Sequence, residues 1–560
     1  MKILILSSTY DSLTQRLHVE LTARTHAVIF DIASNDLQTV DIVNLHQPEL
    51  VICPSVETNL CQSIWQHYRC ITLKITTASD TGSSCLDWAI QDQEASCYVT
   101  ALQITSETNA SSLWASTTVN IRPTSKSSLY QLEIQDAALK VILETIERTQ
   151  NASFIPDTLL TGNATIKDRI RPFMRQADRQ IDWEQDSTAS ILNKIRAADG
   201  YPGVADNIRG IDYFIYGASE EDSLRGSPKA LIAKRFGAVC RATVDGAIWI
   251  SHIELKNDEI ERKHFKLPAT LVFGKKIKDL PDMPVSIYNT SKHTFREIWY
   301  EEHNQIGYLH FDFYDGAMST EQCLRLRDAV LDVLDHPTRI LVLLGGAAFW
   351  SSGIDLRVIE ASRAPDEESW HNINALNDLI LTIITATQKI TIAAVHGHAS
   401  AGGVALAAAC DKICVRQGAL LNLNYKSMGL FGSEYSTYTL PKRIGYDKTI
   451  ELIENCRSLG VQEAKHIGLI DGTIPDCFDA FEKKIKIMAE TLARHQNYEK
   501  IVKSKIQRRN QDEFLKPLQY YREEELQRMK EEFFEPDALY HLIRKQLVYS
   551  KPIFSKDTQD

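Results

Sequence analysis

Along the chain the hydrophobic positions switch between two periods, and the switches mark out its elements. Residues 2–8 are an apolar run, 12–24 carry the three-to-four-residue spacing of an amphipathic helix, and short apolar runs follow at 27–30, 50–53 and 71–75. Strands separated by helices predict a Rossmann-like parallel sheet with right-handed crossovers. The first run is too short for a signal peptide and reads as the first strand. A polar turn at 79–84, including Asp80, stands where ligands bind in such sheets, at the carboxyl ends of parallel strands. No GxGxxG follows the first strand, so a dinucleotide is not expected.

The texture changes after a helix at 131–149. A helical stretch at 187–198 stops at Gly200-Tyr201-Pro202-Gly203, and short strands follow at 238–244 and 247–253, joined by Asp245-Gly246, a two-residue hairpin signal. With a further strand at 265–273 they predict a small OB-like β-barrel, then a Lys/Asp/Pro linker over 275–284. Strand 306–313, helix 320–334 and buried strand 340–344 lead to a glycine-bearing strand end, Gly345 to Leu356. A second apolar strand, 390–395, enters a Gly/Ala/Ser turn and leaves through an Ala-rich buried helix. Backbone amides at Gly402 and Gly403, with no side chain to block approach, make an oxyanion hole; the same residues also suit a tightly packed strand-to-helix crossover, and both readings stay open here. The chain closes with helices at 520–534 and 537–548, whose run Arg522-Glu523-Glu524-Glu525 reads as a solvated face.

At 560 residues there is room for three or four domains. A net charge of -11 with scattered Lys and Arg argues against nucleic acid. The eleven cysteines form no CxxC pair, which favours reduced thiols in a cytoplasmic protein over disulfides or a zinc site, and no metal is expected. The longest weakly polar stretch, 390–410, carries His396 and His398 and is rejected as a membrane span.

The stretches Ser352-Gly353-Ile354-Asp355-Leu356, Ala394-Val395-His396-Gly397, Ala401-Gly402-Gly403 and Cys410-Asp411 resemble the enoyl-CoA hydratase/isomerase (crotonase) superfamily. The resemblance implies that the amides of Ile354 and Gly402 hold a CoA thioester carbonyl. The two glutamates of the family's hydratases fall on Ala405 and Tyr425, so no carboxylate pair remains to add water across a double bond.

Further stretches, Ser84 to Ile90, Tyr201 to Val204, Cys240 to Gly246, Phe311 to Thr320, Glu368 to Ala375 and Gly432-Ser433-Glu434-Tyr435, are similar to the HypX/HoxX hydrogenase maturation family over nearly the whole chain. That resemblance implies α/β domains at 1–165 (formyltransferase N-terminal-like, Rossmann), 166–280 (formyltransferase C-terminal-like, OB) and 281–490 (a crotonase-like spiral), then C-terminal helices at 491–560. It also implies transfer of a formyl group from formyltetrahydrofolate to coenzyme A, and splitting of formyl-CoA to the carbon monoxide that becomes the iron ligand of NiFe hydrogenase. An acyl-CoA is then the small-molecule partner, alongside other hydrogenase maturation proteins.

The formyltransferase Asn, His and Asp fall here on Thr72, Lys74 and Asn109, and Ile75 to Ala78 replace the glycine-proline loop, so formyl transfer is not expected of this site. A lysine keeps its proton near neutral pH, whereas a histidine shuttles one. In the crotonase-like region His398 stands where the family has Asn, while Tyr425, Glu434 and Tyr435 are kept. Tyr425 is expected to handle the proton passing to sulfur, with Glu434 and His398 as further catalytic candidates. Gly353, Gly403, Trp350 and Tyr435 are candidates for binding the thioester, and Trp350 with Phe349 is expected to exclude water. A CoA- or folate-binding assembly partner without chemistry, and an acyl transferase of another pathway, are the alternatives.

Overall fold

A computed structural model describes residues 1–33, 35–54, 60–78, 80–105, 110–158, 170–256, 264–475 and 478–549. The chain divides into two compact units, one built from Met1–Ile181 with Ala189–Val204, the other from Asp182–Thr188 with the described residues from Ala205 to 549.

In the first unit a seven-stranded sheet runs in the order Ala27–Ile32, Lys2–Ser7, Leu50–Cys53, Cys70–Thr76, Ser96–Ile104, Ala110–Asn120, Asp157–Thr158. The first four strands are parallel and the rest antiparallel, so the sheet is mixed where the helix–strand alternation alone predicted parallel pairing. Helix Ser12–Ala23 begins at Asp11, whose carboxylate accepts from the Thr14 amide at 2.8 Å, and buries Leu13, Leu17 and Leu21 at four-residue spacing.

The second unit opens on a six-stranded antiparallel sheet with neighbours Leu231–Arg235, Ala238–Ala242, Ala247–Leu255, Ile211–Glu221 and Val204–Ile208, and Leu267–Pro268 beside Ala247–Leu255. Three expectations change here. Ala242 pairs with Ala247, so Asp245-Gly246 belongs to a four-residue loop, in which Asp245 accepts from the Thr188 amide and hydroxyl instead of serving a tight turn. The strand expected at 265–273 pairs only at Leu267–Pro268. Pro268 has no amide to give the ladder and starts the helix Ala269–Phe273. Residues 275–284 are no loose linker: the Lys234 amide donates to Pro281 and the Met283 amide to Lys234, which extends the sheet edge.

The remainder is a spiral. A six-stranded sheet holds Ile298–His303, Ile306–Phe311, Ile340–Leu344, Ile390–Val395, Lys412–Arg416 and Gly472–Ile474, and a four-stranded sheet holds Phe349–Ser351, His398–Ser400, Leu420–Asn422 and Ser458–Gly460. Three times the chain leaves a large-sheet strand and enters the next small-sheet strand within a few residues, so each turn of the spiral supplies both layers. Leu341, Leu343, Ala393 and Val395 face one apolar core, and Ile340, Val342, Ile392 and Ala394 the other. Burial on both faces explains the continuous apolar runs. Helices Phe478–Ala493 and Tyr498–Leu515 cover the second core, whereas Leu518, Leu526, Met529, Phe533 and Tyr540 of the last two helices enter the first. Among the described residues no helix is long and apolar enough to cross a membrane.

Candidate active site

Two glycine turns, one from each of two successive spiral turns, meet at the carboxyl ends of the large-sheet strands. The first is held by short pairing of Ala317–Met318 with Gly353–Ile354, and the Asp355 amide donates to Met318. Gly353 has φ +84°, and a Cβ on it would lie 3.3 Å from the Gly402 nitrogen, so the backbones of Gly353 and Gly402 are in contact. The second turn reaches this place through Ala401, a non-glycine residue at φ 46°. Such a conformation costs about 1–3 kcal/mol and persists where the surroundings impose it. Gly402 then opens the helix Gly402–Ala408, and its amide has no acceptor within the helix. The next residue, Gly403, serves packing: a Cβ there would sit 2.0 Å from the Ser351 carbonyl oxygen.

Opposite Gly402 stands a carboxyl group. A Cβ on Gly402 would lie 2.6 Å from Glu434 Oε1, while Glu434 Oε2 accepts from the Ser433 amide at 2.8 Å. Glu434 is 2 % exposed, and burial pushes its carboxyl up to about 7, against the lowering by the Ser433 amide and Tyr425. The turn that carries it is strained, with Gly432 at φ 94°, Glu434 at 61° and Tyr435 at 56°. Tyr425 lies against this turn, its ring 2.9 Å from where a Gly432 Cβ would be. The Tyr425 hydroxyl is buried without a hydrogen bond of good geometry, and burial followed by the charges of Glu434 and Glu525 raises its pKa well above the ordinary phenol value. A group that titrates near neutrality moves protons at physiological pH better than a phenol held protonated.

The other sequence candidates fall in different places. Ile354 is half-buried beside Gly402, whereas Ala405 is fully buried, so the position of the missing glutamate is filled by packing. Trp350 is 1 % exposed. Its indole lies in the core edge-on to Phe311 and donates to the Gly403 carbonyl at 2.9 Å, which places it behind the glycine turn and not as a wall of the cavity. His398 Nδ1 accepts from the Leu420 amide at 3.0 Å; this hydrogen bond assigns the ring proton to Nε2 and leaves no lone pair for a base. Tyr435 is fully buried, with Arg522 beside its hydroxyl.

Residues that sequence reasoning set aside complete the site. Glu525, read as part of a solvated face, is fully buried and accepts from the Tyr435 amide at 2.8 Å, the Thr437 amide at 2.9 Å and the Thr437 hydroxyl at 2.5 Å. Arg522 pairs with Asp378 at 2.6 Å and donates to Asn374. The missed signal was periodicity: 518, 522, 525, 529 and 533 fall at three-to-four spacing, so the two charges share the buried stripe of Leu518, Met529 and Phe533.

In the first unit Thr72 and Lys74 lie on the strand Cys70–Thr76, two residues apart and therefore on one face of the sheet. Thr72 is 7 % exposed with an unpartnered hydroxyl, and Lys74 is half-buried. Asp80 is buried and accepts from the amides of Gly82 and Arg171 at 2.8 and 3.1 Å, so one oxygen holds the loop. Asn109 lies outside the described residues. Among the described residues no cluster of His, Cys, Asp and Glu suits a metal ion.

Comparison with known proteins matches residues 316–538 to the family Enoyl-CoA hydratase/isomerase and residues 174–265 to Formyl transferase, C-terminal domain. Over a 176-residue stretch the chain is 27 % identical to 4-chlorobenzoyl coenzyme A dehalogenase-1 of Arthrobacter sp., covering 31 % of this chain and 63 % of that one. The crystal structure of HypX from Aquifex aeolicus in complex with tetrahydrofolic acid superposes with a TM-score of 0.94 at 36 % identity, covering 99 % of this chain and 97 % of that one. The hydrogenase maturation factor HoxX of Bradyrhizobium diazoefficiens is 38 % identical over 553 residues, covering 99 % of this chain and 95 % of that one. On full-length similarity in both sequence and fold, the chain belongs to the HypX/HoxX family of hydrogenase maturation factors.

Proposed function

We propose that the spiral domain binds formyl-CoA and splits it into carbon monoxide and CoA. The observation that carries this reading is the Glu434 carboxyl facing Gly402 from a strained turn, with a pKa near 7. In the proposed reaction the amides of Ile354 and Gly402 hold the thioester carbonyl oxygen. The Glu434 carboxylate takes the formyl proton, the C–H electron pair stays on carbon as carbon monoxide forms, and the C–S pair leaves with sulfur. Glu434 then returns the proton to the thiolate, which balances the step without water. Tyr425, whose raised pKa keeps it protonated, orients the carboxyl and is not itself the acid. A thioester fits this role because the contact of Gly353 with Gly402 brings the two glycine turns together at backbone level.

Incubating the protein with formyl-CoA and trapping the gas with ferrous myoglobin tests the reading. Carbon monoxide from the native protein and none from E434Q is the expected result; none from either refutes it. In the first unit, tetrahydrofolic acid bound to the Aquifex relative supports a folate pocket here, without formyl transfer by Thr72 and Lys74. Their loss of acid–base chemistry favours a second reading, a binding partner in assembly, which predicts tight CoA binding by calorimetry with no gas.

A further inference from the structure

We propose that Glu525 is a positioning residue of the active site, and that the helix Leu518–Phe534 holds the turn Gly432–Tyr435 in its working conformation; this rests on the role of Glu434 proposed above.

The helix Ser436–Ile444 starts at Tyr435, whose own side chain makes no capping bond. Its first donors, the amides of Tyr435 and Thr437, are taken instead by the Glu525 carboxylate, which approaches from another helix ninety residues later in sequence. A second carboxylate on the same helix, Glu532, accepts from the Phe431 amide at 2.8 Å. Seven residues are two helical turns, so Glu525 and Glu532 project from one face and grip the loop at both ends of the glutamate-bearing turn. Between these grips lie Gly432, Glu434 and Tyr435, the three residues at positive φ. An ordinary capping side chain would leave the two non-glycine residues free to relax, and the external acceptor removes that freedom.

Glu525 also places charge behind Glu434. The groups that face the pair are Tyr425, which feels both carboxyls, Arg522 beside Tyr435, and the Thr437 hydroxyl. Burial pushes the Glu525 carboxyl up to about 7, helped by the Glu434 charge and opposed by the Thr437 hydroxyl and the Thr437 and Tyr435 amides, so two carboxyls that both titrate near neutrality stand on either side of the turn.

The test compares native protein, E525Q, T437V and E434Q. Carbon monoxide release from formyl-CoA is followed from acid to alkaline pH, together with hydrogen exchange of the 430–440 segment. E525Q is expected to lower kcat at least about tenfold with KM little changed, as displacement of a reacting group does. Faster exchange confined to 430–440 should accompany this. T437V, which removes one donor to Glu525 and keeps the carboxyl, should lower kcat and speed exchange in the same segment by less, and it serves if E525Q does not fold. Native rate and exchange in E525Q, with E434Q inactive, overturn the positioning role and leave the reaction standing. If native protein releases no gas, the reaction falls, and unchanged exchange in E525Q overturns the positioning role separately.

Discussion

Replacing Glu434 by glutamine should stabilise the protein and silence it together. A carboxyl held at about 7, against an ordinary 4.5, is one that the fold prefers to keep protonated. Between these two values the unfolded chain has released its proton and the native chain has not, so stability falls as pH rises through this window and is level above about 7. The cost of the ionised group reaches about 3 kcal/mol at alkaline pH, and it vanishes below the unfolded value. Glutamine has no proton to lose. Its weaker bond to the Ser433 amide subtracts about 1 kcal/mol at every pH, so the pH dependence of the difference, not its absolute size, reports Glu434. Urea unfolding of E434Q and native protein at about pH 5 and about pH 8 measures it. The glutamine variant should gain about 2.5 kcal/mol relative to native between the two conditions, since part of the cost is already present at about pH 5. A difference that is the same at both would show that Glu434 is not held protonated, and would remove the basis for its role near neutrality.

G402A should lose most turnover, because the new methyl group meets Glu434 Oε1 at 2.6 Å and Leu376 at 2.8 Å; a steady-state assay with formyl-CoA should show a loss of about a hundredfold, the effect of a displacement of about 1 Å. W350F should destabilise by about 1–3 kcal/mol in denaturant unfolding by removing the indole's bond to the Gly403 carbonyl and leaving space in the core, with a native KM in the fraction that remains folded. H398A should cost about 1 kcal/mol through the lost Leu420 bond and keep most of the gas release, and a complete loss would make His398 the base after all. K74A should leave carbon monoxide release from supplied formyl-CoA unchanged, since Lys74 lies in the other unit.

Elements whose signal is local were legible in sequence. Helix Thr320–Leu334 and strands Leu50–Cys53 and Ile340–Leu344 begin and end where their apolar periods do, the helix fixed further by a Ser319–Gln322 capping box. The two glycine turns were legible because a backbone contact leaves its mark as an absent side chain. Pairing is not local, and there the reading fell short: the antiparallel half of the first sheet and the edge made by Lys234 with Pro281 depend on partners that no short window contains. The same holds for the charges of the last helices. Arg522 and Glu525 look solvated in a run of like residues until the acceptors and donors they meet, Asp378 and Thr437, arrive from distant parts of the chain.

The distance in sequence between Tyr435 and Glu525 also sets when the site exists during synthesis. At about 5–20 residues per second, the ribosome takes about 5–20 s to add the ninety residues that separate them, and during that time the glycine turns and Glu434 have been made but their support has not. A nascent chain, or a product cut short within this stretch, would carry both glycine turns and Glu434 and still lack the carboxylate that accepts from the Tyr435 and Thr437 amides. On the reaction proposed above, gas release is expected only from chains translated past Glu525.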